Sequence, residues 1–121
     1  MKIRIRANSL RLRLTQSEVN TFGEKGEVRD QIQFGLLPKE TLTYSMVLAK
    51  GGELRATYED RRIRVQVPGK MAKDWVETDL IGMTNDMELG NEKVLKILVE
   101  KDFKCLTARH GEDETDNFPH P

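Results

Sequence analysis

The chemistry most available to this chain is the gripping of anions by guanidinium groups. Arg4, Arg6, Arg11 and Arg13 lie close together near the start, and Arg55, Arg62 and Arg64 recur near the middle. A guanidinium presents a planar fork of N–H donors that fits phosphate or carboxylate bidentately. The other reactive residues make weaker constellations. Cys105 and His110 are five positions apart with no carboxylate set to orient the imidazole, and Cys105 beside Leu106 reads as a small apolar side chain. His110, Glu112, Asp113, Glu114, Asp116 and His120 crowd the end of the chain, but their spacing matches neither a calcium loop nor a zinc site. Gly23-x-x-Gly26 and Gly51-Gly52 are turn glycines rather than a phosphate loop. No catalytic residue, metal ligand or cofactor is assigned.

The arginines are spaced by the elements that carry them. Lys2 to Leu14 alternates strictly, with Ile3, Ile5, Leu10, Leu12 and Leu14 on one face and Lys2, Arg4, Arg6, Arg11 and Arg13 on the other. Period two is the mark of a half-buried strand. Ala7-Asn8 breaks the run as a turn, with Asn8 suited to a left-handed backbone. That turn sets Arg6 opposite Ser9, Arg4 opposite Arg11 and Lys2 opposite Arg13. Like charges so placed cost a few tenths to about 1 kcal/mol each. The face therefore needs water and salt, a bound anion, or the acidic end of the chain folded over it.

Thr15 and Glu18 have capping-box spacing and predict a helix from Gln16 to about Glu24, with Val19 and Phe22 facing inward. Strands are expected at Val28 to Phe34 and Thr41 to Ala49, then after the Gly51-Gly52 turn through Leu54, Ala56 and Tyr58. Arg62 to Val67 repeats the alternation of the opening. A second helix follows Pro68 and runs to about Glu77, with Met71 and Trp75 inward. Leu80 to Met83 reads as a brief strand. Val94 to Lys101 is almost continuously apolar, which suits a central place in a sheet.

Sliding the chain by 53 positions sets Leu10, Leu12 and Leu14 on Ile63, Val65 and Val67, Arg11 on Arg64, Phe22 on Trp75 and Val28 on Ile81. Ile3 and Ile5 fall on Ala56 and Tyr58. The residue match stops after Val28 and Ile81. It suggests a duplicated unit of strands around one helix.

The resulting order of eight strands and two helices resembles the triphosphate-tunnel (CYTH-like) fold. That resemblance implies a wide antiparallel barrel with a charged lumen and metal-dependent phosphoryl processing. The Glu-x-Glu-x-Lys signature of those enzymes is replaced here by Lys2-Ile3-Arg4-Ile5-Arg6, so inward acids such as Glu53, Glu100 and Asp102 would have to hold the metal. The whole chain, including Glu100-Lys101-Asp102-Phe103-Lys104-Cys105-Leu106 and the stretch from Glu112 to Pro119, also resembles a family of small uncharacterised bacterial proteins. That resemblance implies a bacterial single-domain protein and no particular activity.

Bulk properties bound these readings. The chain has 121 residues, 33% of them charged and balanced to zero, so net charge selects no partner. Aromatics are 6%, and none interleave with the arginines, which disfavours nucleic acid. One cysteine excludes an internal disulfide and suits a reducing compartment. No leader-like segment or apolar run of membrane length is visible, so a cytoplasmic protein is expected.

The expectation is one α+β domain over 1–106, with a mostly antiparallel sheet of about eight strands, open or closed into a wide barrel, and two short helices. An acidic, flexible tail follows over 107–121. The expected function is a non-enzymatic binding module whose arginine-rich sheet face, gathering Arg4, Arg6, Arg11, Arg13, Arg55, Arg62 and Arg64, takes a phosphate-containing small molecule. The competing class is a phosphoryl-processing enzyme of the tunnel type. A homodimer is compatible if Thr41 to Ala49 lies at a sheet edge.

Overall fold

A computed structural model of the chain describes residues 1–104 and 113–120. Cys105, His110 and Glu112 lie outside them. The strands are β1 (Lys2–Arg6), β2 (Ser9–Leu14), β3 (Glu27–Gln33), β4 (Thr41–Ala49), β5 (Arg55–Glu59), β6 (Arg62–Pro68), β7 (Gly82–Gly90) and β8 (Lys93–Lys101), with helices α1 (Gln16–Lys25) and α2 (Gly69–Glu77).

Two open four-stranded sheets form, the open alternative of the two expected. Their orders are β1-β2-β8-β7 and β3-β4-β6-β5. In each, the middle pair is parallel (β2 with β8, β4 with β6) and the outer pairs are antiparallel. Each sheet therefore joins one hairpin from each half of the chain. The two parallel ladders share a register: Ser9 faces Lys96 in one and Arg62 faces Thr43 in the other, both members offset by 53. Element starts obey the same offset at β1 and β5, β2 and β6, and α1 and α2.

Alternation explains the layering. Leu10, Leu12 and Leu14 of β2 and Ile97 and Val99 of β8 share one core with Met46, Val65 and Val67 of the other sheet. Several of these are fully buried. The inner faces also touch through polar groups, since Asn85 donates to the Leu54 carbonyl at 2.9 Å and the Tyr44 hydroxyl to the Met1 carbonyl at 3.1 Å. The space that would be a charged lumen in a tunnel fold is filled with aliphatic side chains, and the polar parities of both sheets face outward. Interior burial of this kind removes apolar surface from water at roughly 25 cal/mol per Å².

α1 and α2 complete the core. Thr15 and Glu18 form the expected capping box, with Thr15 N–H donating to Glu18 at 2.9 Å. Gly26 ends α1 in the left-handed region (φ 73°), a conformation that costs glycine nothing. Gly23 lets the helices meet, because a Cβ there would stand 2.8 Å from Val76 Cγ1. Phe22 and Trp75 pack edge to face across this contact, 6.5 Å between centroids.

Several expectations change in detail. The first hairpin has the predicted register, but its left-handed residue is Ala7 (φ 48°). Asn8 instead donates to the Val94 carbonyl at 2.7 Å and ties the turn to β8. The brief strand at Leu80 to Met83 becomes the full β7, because Asp86 and Glu88 are tolerated on a face open to water. β4 lies between β3 and β6, so it offers no edge for the dimer considered above.

Where composition suggested a flexible tail, residues 113–120 lie against the domain. Gln16 N–H donates to the Asp116 carbonyl at 3.0 Å and Phe118 N–H to the Asp102 carbonyl at 2.8 Å. The Phe118 ring stacks at a tilt on Phe103, 5.7 Å away. Asn117 is buried. Hydrogen bonds from the Thr15 side chain and from Ser17, whose hydroxyl is 2.9 Å away, hold the exposed Asp116 carboxyl below its ordinary range. A depressed carboxyl stabilises docking above its ordinary titration range, and that contribution is lost as pH falls through the folded value. The protection factor of the Gln16 amide should therefore fall on acidification, and Asp116→Asn should flatten the dependence.

Candidate functional site

The arginines expected on one surface belong to two. Arg4, Arg6, Arg11 and Arg13 lie on the outer face of the β1-β2-β8-β7 sheet, while Arg55, Arg62 and Arg64 lie on the outer face of the other. The sheets stack through their apolar sides, so the groups do not converge. This follows from the exchange of hairpins between the halves, which no local pattern reveals.

The first face carries its own counter-charge. Glu100 of β8 sits beside Arg13 in the parallel ladder. One of its carboxylate oxygens accepts from Arg11 Nε and Arg13 Nε, both at 2.7 Å, and also contacts Arg11 Nη2. Lys2 Nζ pairs with Asp102 at 3.0 Å. Glu100 and Asp102, expected as metal-holding acids, are thus engaged by cations. Glu53 is exposed in the segment before β5. Among the described residues no three His, Cys, Asp or Glu side chains group closely enough to hold a metal ion. Of the described tail acids, Asp113 accepts from the Thr115 N–H at 3.0 Å and Asp116 from Ser17. Arg4 and Arg6 keep no ion pair among the described residues and border a shallow recess with Ser9 and Lys96.

The second face is different. Ladder pairing sets Arg29 of β3 beside Ser45 of β4, Ser45 beside Arg64 of β6, and Arg64 beside Thr57 of β5. The next row out runs Gln31, Thr43, Arg62, Glu59. Arg29, Arg62 and Arg64 form no ion pair among the described residues. With Gln31, Thr43 and Ser45 they line a recess of about 400 Å³, which Glu27 and Asp30 also border. Neighbouring strands are roughly 4.8 Å apart, so Arg29 and Arg64 flank Ser45 at about 10 Å between backbones. Two such long side chains can close on one anion, with a hydroxyl donor beneath it. Arg55 stands one row further along, opposite Gln66.

Arg29 was missed by reading arginines in alternating hairpins. Its signal was its place on the polar parity of Glu27–Gln33, which acquires meaning only when β3 is paired with β4.

The 53-residue offset sharpens the contrast between the faces. Arg13 and Glu100 in the first sheet correspond to Gln66 and Val47 in the second, and Arg11 and Leu98 correspond to Arg64 and Ser45. Where one face supplies an acid, the other has valine. Where one has leucine, the other has a hydroxyl.

The class defined by this architecture is an α+β domain of two stacked, mostly antiparallel sheets with two short helices and polar outer faces. The chain belongs to the family of unknown function DUF7009, whose model matches residues 1–121. No curated protein and no solved structure matches it. No helix among the described residues is long and apolar enough to cross a membrane.

Proposed function

We propose that this protein is a non-enzymatic binding module for a phosphate-type anion, held on the outer face of β3-β4-β6-β5 by Arg29, Arg62 and Arg64 with Ser45 and Thr43 as hydroxyl donors. The observation that carries the reading is that no acid ion-pairs with these arginines among the described residues, although Glu59 is the ladder neighbour of Arg62, whereas Glu100 pairs with both Arg11 and Arg13. Unpaired guanidiniums beside hydroxyls are an anion cradle in water. The shared register of the two parallel ladders supports descent by duplication, with Arg11 and Arg13 neutralised on one sheet and Arg62 and Arg64 left open on the other. The single cysteine supports work in a reducing compartment such as the cytoplasm.

Thermal unfolding at low salt tests the site. Tripolyphosphate at a hundred times its dissociation constant should stabilise by about 2.7 kcal/mol. Arg62→Ala with Arg64→Ala should abolish the shift, while Arg4→Ala with Arg6→Ala should leave most of it. Equal loss in both variants, or no shift in the parent protein, would sink the assignment. A shift that requires Mg²⁺ would favour the phosphoryl-processing enzyme instead.

A further inference from the structure

A second recess, of about 470 Å³, lies between α1, the end of α2 and the segment 113–120. Its walls include Val19, Val76, Ile81 and Phe118. Lys101, the last residue of β8, lines it although only 6% of that residue is exposed. The Lys101 ammonium donates to the Thr78 carbonyl at 2.7 Å. It also stands 5.8 Å from the centre of the Trp75 ring and 5.6 Å from that of Phe118. These contacts suit a cation, yet no carboxylate comes within ion-pairing distance among the described residues.

Burying an ammonium without an anion is costly, and proteins ordinarily pair such a charge. Here desolvation lowers the Lys101 pKa, and the negative charge of Asp79 only partly opposes it. The neighbouring carbonyl and rings orient the charge but do not neutralise it. Among the described residues Asp79 stands at the border of the recess, but no carboxylate reaches pairing distance of the Lys101 ammonium.

We propose that this recess binds a small monocarboxylate with an apolar body, its carboxylate on the Lys101 ammonium and its body against Val19, Val76, Ile81 and Phe118. Asn20 borders the same space and offers an amide to the second oxygen. Asp79, also at the border, disfavours a doubly charged phosphate, which separates this ligand class from that of the arginine face. The apolar walls are interleaved with Gln16, Asn20, Thr78, Asp79 and His120, and concave sites of this size with fixed polar groups are usual for small ligands.

Trp75 is the only tryptophan of the chain, and its indole N–H donates to the carbonyl of Ile81 at 2.9 Å, so its indole resonance reports on the recess wall. Phenylacetate should shift that resonance saturably and raise the melting temperature. 2-Phenylethanol, similar in size and uncharged, should bind at least about tenfold more weakly, the loss expected for one charge-assisted hydrogen bond. Lys101→Met should bring the two to parity. Equal binding of acid and alcohol by the parent protein, or no saturable shift with either, would overturn the proposal without recourse to any variant.

Discussion

Trp75→Ala is expected to lower stability by about 3–5 kcal/mol, the usual cost of emptying a large aromatic site. Trp75 has no exposed surface, stacks edge to face on Phe22, donates its indole N–H to Ile81 and lies under the Lys101 ammonium. Its removal would leave a cavity bordered by both helices and the β8 end of the first sheet, and would deprive the Ile81 carbonyl of its donor. A domain of this size should lose roughly 10–20 °C in melting temperature. Since native stabilities run to only about 5–15 kcal/mol, the variant would sit close to unfolding at ordinary temperatures. Urea unfolding should show a lower midpoint at unchanged slope. A loss under about 1 kcal/mol would mean that the helices do not pack through Trp75 as described.

Glu100→Gln is expected to cost less, about 1–2 kcal/mol, but to change the behaviour of a whole face. One Glu100 oxygen accepts from both Arg11 and Arg13, and Lys2 and Arg4 stand opposite those two arginines across the hairpin. Removing the charge leaves two partly exposed guanidiniums beside further cations, with solvent screening moderating the penalty. Added salt should then stabilise the variant more than the parent, because it screens the newly unbalanced repulsion. The variant should also gain stabilisation by tripolyphosphate on the first sheet, and should keep it when Arg62 and Arg64 are both alanine. If Glu100→Gln leaves salt and tripolyphosphate responses unchanged, the ion pairs do not neutralise this face, and the argument that distinguishes the two faces fails with them.

Much of the architecture was written locally. Alternation in Lys2 to Leu14 and in Arg62 to Val67 determined which residues point inward, because a strand has period two whatever it pairs with. Thr15 and Glu18 determined where α1 begins, because a capping box is satisfied within four residues. The near-continuous apolar run of Val94 to Lys101 announced a central strand, and β8 lies between β2 and β7. The 53-residue offset was visible as matched aliphatic and aromatic positions, and β4 and β8 obey it in the parallel ladders even where their residues do not match, whereas β3 and β7 pair two residues out of step.

The candidate sites were much less legible. The arginine-bearing outer parities of the two hairpins gave no sign that one would meet Glu100 and the other Val47, since those residues arrive from strands far along the chain. Lys101 read as the polar end of an apolar strand, and only the return of residues 113–120 places Phe118 over it. Periodicity, caps and turns are short-range and belong to the sequence itself. Partnership between charges depends on which strands become neighbours, and that was decided by the exchange of hairpins that buries both apolar faces in one core.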